Sequence, residues 1–128
     1  MQVSKQLLNP NLEAQLYRMW HQLVAYVKNP EEAETVCLSL FSQTELVTIV
    51  KRLGVGYWLT KGRSYENIKQ NLKVSSATIA SIQQDLKQPG WKLILVKIMA
   101  EEWAAKWEGK IKGLFKMGVR QQKLPLDK

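Results

Sequence analysis

The chain has 128 residues, 45% hydrophobic and 23% charged, the proportions of one ordinary globular domain, so neither a disordered chain nor an integral membrane protein fits. A single cysteine, Cys37, excludes an internal disulfide, and a single histidine, His21, leaves too few ligands for a zinc site and no partner motif for a catalytic triad. The net charge of +8 is spread as −1 over residues 1–41, +4 over 42–90 and +5 over 91–128, so the middle and the end of the chain carry a field that attracts a polyanion.

Apolar residues recur with helical spacing throughout, without sustained alternation or an Asn-Gly or Asp-Gly hairpin signal, and the expected fold class is all-α. Asn9-Pro10 opens a first helix as cap and first-turn proline, followed by Leu12, Leu16, Met19, Leu23 and Val27 at three- and four-residue steps. Asn29-Pro30-Glu31-Glu32 repeats the start signal for a short helix ending near Phe41. Ser42-Gln43-Thr44-Glu45 reads as a capping box, ahead of the stripe Leu46, Ile49, Val50, Leu53 and Tyr57. Within that third helix, Gly54-Val55-Gly56 has no preceding strand, no third glycine and no following Gly-Lys-Ser/Thr, so close helix packing is preferred to a nucleotide loop. Lys61-Gly62 reads as its end.

Residues 64–86 are the most informative. Ser64 can cap a short helix with Ile68 and Leu72 inward, Lys73-Val74 makes a tight turn, and Ser75 can cap a second helix with Ile79, Ile82 and Leu86 inward. That is a helix-turn-helix pattern, in which Val74 plugs the corner and Ser76, Ala77, Thr78, Ala80 and Ser81 are left outward. Small outward residues let a helix enter a major groove closely, with hydroxyls bonding base edges or phosphates and alanine touching a thymine methyl. Lys73 stands where such a turn prefers glycine and Lys69 where the helix pair prefers a small residue; each can lay its stem on the surface and its charge on a phosphate. The candidate nucleic-acid contacts are Lys69, Lys73, Ser75, Ser76, Ala77, Thr78, Ala80, Ser81 and Gln84, and a plain αα-hairpin is the competing reading.

The Ser42–Glu45 helix start, Lys51-Arg52, the Lys61-Gly62 break and Ser64–Leu86 with its Ala77-Thr78-Ile79 run resemble the tryptophan repressor family, and especially its Trp repressor-like branch. The resemblance extends over roughly 9–105 in order of helices, and over 42–88 in motif. It implies an intertwined all-helical homodimer that presents two recognition helices to successive major grooves of double-stranded DNA. By position, Lys69 and Thr78 match phosphate-contacting sites, and Ser76, Ala77 and Ala80 base-facing ones. Of the two arginines that hold the ligand in tryptophan-binding members, Arg52 matches the first, Ser81 replaces the second, and Ile82 replaces the glycine that leaves room for the indole. The expectation is therefore no tryptophan corepressor and no other cofactor, with Arg52 left for a local carboxylate or a phosphate.

After Gln88-Pro89-Gly90, a long helix is expected from about residue 89, with Leu95, Met99, Trp103, Trp107, Ile111 and Phe115 every four residues and Lys92, Lys97, Lys106, Lys110, Lys112 and Lys116 around them. Three readings of it stay open: a core or dimer-packing helix with a solvated basic face, an extension of the phosphate contacts, and an amphipathic membrane-surface helix. Gly109, Gly113 and Gly118 predict declining order beyond about residue 110. The domain reading is a single all-helical domain over 1–118, with the helix-turn-helix at 64–86, and a flexible basic tail over 119–128. The functional expectation is a sequence-specific DNA-binding regulator, repressor-like, that performs no chemistry. A basic helical adaptor holding an acidic partner or anionic membrane through 91–117 is the alternative, although a membrane partner is not the favoured one. No basic leader with an apolar run and cleavage site opens the chain, and the apolar run 93–96 cannot span a bilayer, so the expected location is the cytoplasm.

Overall fold

A computed structural model of the chain describes the backbone of residues 5–122 and the side chains of 5–106 and 108–114. All regular structure among these residues is α-helical, in the order α1 (Pro10–Tyr26), α2 (Pro30–Leu40), α3 (Gln43–Thr60), α4 (Tyr65–Leu72), α5 (Ser76–Asp85) and α6 (Pro89–Gln122). The local signals act as read. The Asn9 side chain accepts from the N–H groups of Asn11 and Leu12, and that of Asn29 from Glu32. At the start of α3 the Ser42 hydroxyl accepts the Glu45 N–H at 3.1 Å while the Glu45 carboxylate accepts the Ser42 N–H at 2.7 Å, a closed capping box. The Ser42 backbone N–H first, and then the Ser42 side chain, hold the Glu45 carboxyl below its ordinary pKa. The end of α3 turns through Gly62 at φ 82°, where Gly62 N–H donates to Leu59 O and Arg63 N–H to Trp58 O, the paired bonds of a Schellman motif.

The chain divides between Lys51 and Arg52 into two compact units. In the first, Trp20 meets Phe41 edge-on at 5.9 Å, and a groove of about 390 Å³ runs along Trp20, Val24, Val36, Cys37, Phe41 and Leu46. Neither α1 nor α2 contains a fully buried residue. The second unit holds a closed core of Val55, Ile68, Ile79 and Ile82, ringed by Trp58, Leu59, Leu72, Val74, Leu86 and Trp91. Gly54 and Gly56 are packing glycines: a Cβ at Gly54 would stand 3.2 Å from Leu72 Cδ1, and one at Gly56 would enter the Trp91 indole ring. Across the α3 end, the Arg63 guanidinium lies 3.9 Å over the Trp58 ring.

One expectation for the C-terminal helix is corrected. Residues four apart advance about 400° around a helix, so a strict four-residue series drifts by about 40° per step rather than holding one face. Accordingly Leu95 and Met99 are half-buried, whereas Trp103 and Ile111 are 63% and 59% exposed. The half-buried face of α6 is Trp91, Leu95, Ile98 and Glu102. The backbone of α6 is helical through Gly109, Gly113 and Gly118 to Gln122. Each glycine costs about 1 kcal/mol in a helix, and Gly109 and Gly113 are flanked by the good helix formers Glu108, Lys110, Lys112 and Leu114. Residues 123–128 of the expected 119–128 tail lie outside the described residues.

Candidate nucleic-acid interface

Helices α4 and α5 pack on each other, joined by Lys73, Val74 and Ser75. The turn is made by Lys73, the one non-glycine residue with positive φ among the described residues, at φ 56° and ψ 53°. Its N–H closes α4 on Lys69 O at 3.0 Å. The position the sequence marks as suited to glycine thus does adopt the left-handed conformation, with a lysine accepting the steric cost. Val74 follows, half-buried against the core, and Ser64 caps α4 by accepting the Asn67 N–H at 3.1 Å.

Helix α5 begins with Ser75, whose hydroxyl accepts the Thr78 N–H at 3.1 Å and donates to Thr78 Oγ1 at 2.9 Å. Both bonds occupy Ser75 with capping, while Thr78 keeps its own hydroxyl proton to give. The N–H groups of Ser76 and Ala77 stand in the first turn, where a helix offers donors and a partial positive charge to an anion. Ile79 and Ile82 are buried, and Ser76, Ala77, Thr78, Ala80, Ser81 and Gln84 are all exposed. At about 100° per residue, Ala77, Ala80, Ser81 and Gln84 share the face opposite the core, with Ser76 on one flank and Thr78 on the other. Lys69 and Lys73, one helical turn apart, are both exposed at the α4 end next to the α5 start. Every residue singled out in the sequence therefore lies on the surface of this helix pair, although Ser75 serves the cap rather than the outer face.

Other residues at the site carried weaker signals. Tyr65 donates its hydroxyl hydrogen to Gln83 Oε1 and so ties the first turn of α4 to the far end of α5. On the Thr78 flank a cleft of about 330 Å³ is lined by Arg52, Ala77, Thr78, Ser81, Ile82, Asp85 and Trp91. Asp85 follows Thr78 by seven residues, two helical turns, and the spacing alone could have placed it there. Trp91 comes from the start of α6, 35 residues from the Gly56 it covers, and no local pattern announces that contact. Arg52 is exposed and makes no ion pair among the described residues, so the carboxylate partner anticipated for it is not found.

No curated protein and no solved structure matches the chain. Residues 15–98 match the protein family described as Trp repressor protein, a run that takes in α2 to α5, most of α1 and the first turns of α6. With more than half of its length in that match, and with the all-helical order and the small-residue outer face of α5, the chain belongs to the Trp repressor family of regulatory DNA-binding proteins.

Proposed function

We propose that the protein is a sequence-specific reader of double-stranded DNA that acts as a homodimeric transcriptional regulator, with α5 as the recognition helix of a helix-turn-helix. The observation that carries this reading is the face of α5 opposite Ile79 and Ile82, where Ala77, Ala80, Ser81 and Gln84 are small or polar and exposed beside Lys69 and Lys73. A helix so lined approaches base edges closely, with Gln84 able to make a bidentate contact and the alanines able to meet thymine methyls. The Thr78 hydroxyl and the N–H groups of Ser76 and Ala77 suit a phosphate at the helix start, with Lys69 and Lys73 on its neighbours. A homodimer supplies the second recognition helix and a cover for the apolar surface left on α1 and α2, where Leu12, Leu16 and Leu23 are 46%, 44% and 37% exposed.

The reading includes no tryptophan corepressor. Ser81 offers a hydroxyl in place of a guanidinium, Ile82 is 3% exposed and belongs to the core, and the Trp91 ring stands against Gly56 beside the same cleft. The test is selection of random duplex DNA by the purified protein, then binding of the winner and of a scrambled duplex across a salt series. A palindromic winner preferred by about a thousandfold, lost on Thr78→Glu and unchanged by added tryptophan, is the expected result. A steep salt dependence with no preferred sequence overturns the reading.

A further inference from the structure

Gly56 is buried inside α3, in the middle of a helix, where glycine costs stability. What its missing side chain admits is the Trp91 indole: a Cβ at Gly56 would enter the benzo edge of the ring, at Cζ3, Cη2 and Cε3. A flat, rigid ring laid against bare backbone has one place to lie. The same ring packs against the cluster of Val55, Ile68, Ile79 and Ile82, and it lines the cleft together with Ala77, Thr78, Ser81 and Asp85 of α5. Trp91 stands in the first turn of α6, and only Leu86, Lys87 and Gln88 separate α5 from that helix. This link is bonded at both ends, with Gln88 N–H donating to Asp85 O at 2.9 Å and Lys92 N–H to Gln88 O at 3.1 Å. The seat of Trp91 therefore governs where the C-terminal end of α5 is held. All of these contacts are made within one copy of the chain, whatever a second copy covers.

Helix α5 is also held at its start, by the Lys73 turn with Val74 against the core, and in its middle, by the buried Ile79 and Ile82. Anchors strung along a helix leave it some freedom to roll about its own axis, and a stop to one side removes that freedom. The bond from the Tyr65 hydroxyl to Gln83 is exposed, where water competes for both groups, so the packed stop is Trp91. Roll matters to a recognition helix in a particular way. Lysines near phosphates tolerate a displacement of about an ångström because charge attracts at a distance, whereas hydrogen bonds and methyl contacts to base edges do not. Taking α5 as the recognition helix, we propose that Trp91 is its positioning residue, a role that rests on that reading. The ring seated on Gly56 sets the roll at which Ala77, Ala80, Ser81 and Gln84 meet base edges. What the contact of Trp91 with Gly56 supplies is discrimination between DNA sequences, not attraction to DNA.

The experiment measures, for the full chain and each variant, the Kd for the duplex that the unaltered protein selects and for its scrambled counterpart. Trp91→Ala should cut the preference between them by about thirtyfold or more, while the Kd for the scrambled duplex moves by less than about threefold. Gly56→Ala keeps the tryptophan but displaces its ring, and should cut the preference in the same way. Trp91→Phe removes the edge that meets Gly56, so adding it to Gly56→Ala should restore part of the preference although it lowers it alone. Indole at millimolar concentration can fill the space vacated in Trp91→Ala, and should raise the Tm and the preference of that variant while leaving the unaltered protein unchanged. Circular dichroism checks that the helices are kept, and if Trp91→Ala does not fold, the Gly56→Ala variants decide. Equal weakening on both duplexes, with no recovery in Gly56→Ala/Trp91→Phe, makes the contact one of stability alone and overturns the proposal, as does a preference that Trp91→Ala leaves intact. An unaltered protein that prefers no duplex overturns the recognition-helix reading itself, and the positioning role with it.

Discussion

The two units of the chain solve the problem of apolar surface in opposite ways. Residues from Arg52 onward close a core of their own, with Val55, Ile68 and Ile79 fully buried and a tryptophan covering a glycine. Residues 5–51 form equally regular and well-capped helices, yet none of their side chains is fully buried. Capping and periodicity suffice to make a helix; enclosure needs partners at the right distance, and among the described residues the second unit supplies them within itself. The difference is one of enclosure: α1 and α2 leave large apolar side chains exposed, while the α4–α5 pair rests on a closed core.

The sharpest way to break this comparison is to open the second core. Ile79→Ala should cost about 2–5 kcal/mol of stability, read by denaturant or thermal unfolding, because it removes a fully buried side chain from a packed cluster. An equal loss from Leu16→Ala would erase the contrast. Next in size, Leu16→Glu/Leu23→Glu should weaken self-association by about ten- to a hundredfold per leucine lost, read as concentration-dependent mass, while the second unit keeps its helical signal. Smaller again, Lys73→Gly should stabilise the chain by about 1 kcal/mol and raise Tm, since glycine accepts the left-handed turn that lysine strains. If Tm falls, the lysine side chain contributes more than its backbone costs.

The smallest effect concerns pH. Glu45 is held ionised by its bonds to Ser42, so its folded pKa lies below its unfolded one. Its contribution is therefore present above the unfolded pKa and disappears as pH falls through the folded one. Glu45→Gln, which keeps a hydrogen-bond acceptor without the charge, should flatten that acid limb of the stability profile slightly and leave neutral pH nearly unchanged.

Much of this arrangement was legible in the sequence because it is local. The caps at Asn9, Asn29, Ser64 and Ser75, the Ser42–Glu45 box and the Gly62 helix end are fixed by residues within five positions of one another, and each is formed. The inward isoleucines of α5 follow from helical spacing. The cleft beside Thr78 was only partly legible, since Trp91 reaches it from another helix and Asp85 was not singled out. For α6 the residues were read correctly and their faces were not, because a four-residue series looks continuous in sequence while it winds around the helix. That error hid the boundary between the side that rests on Tyr57 and Lys61 and the side that does not.

The length of α6 has a further consequence. Its 34 residues form one unbroken rod, about 50 Å long at 1.5 Å per residue, of which about 30 Å lies beyond Glu102. A flexible linker of the same twenty residues would wander over about 25 Å in every direction. The rod instead fixes both distance and heading, set by the half-buried Trp91, Leu95, Ile98 and Glu102 along its first turns. A reorientation of those first turns, rather than a change in local concentration, is how the helix would carry its far end from one place to another.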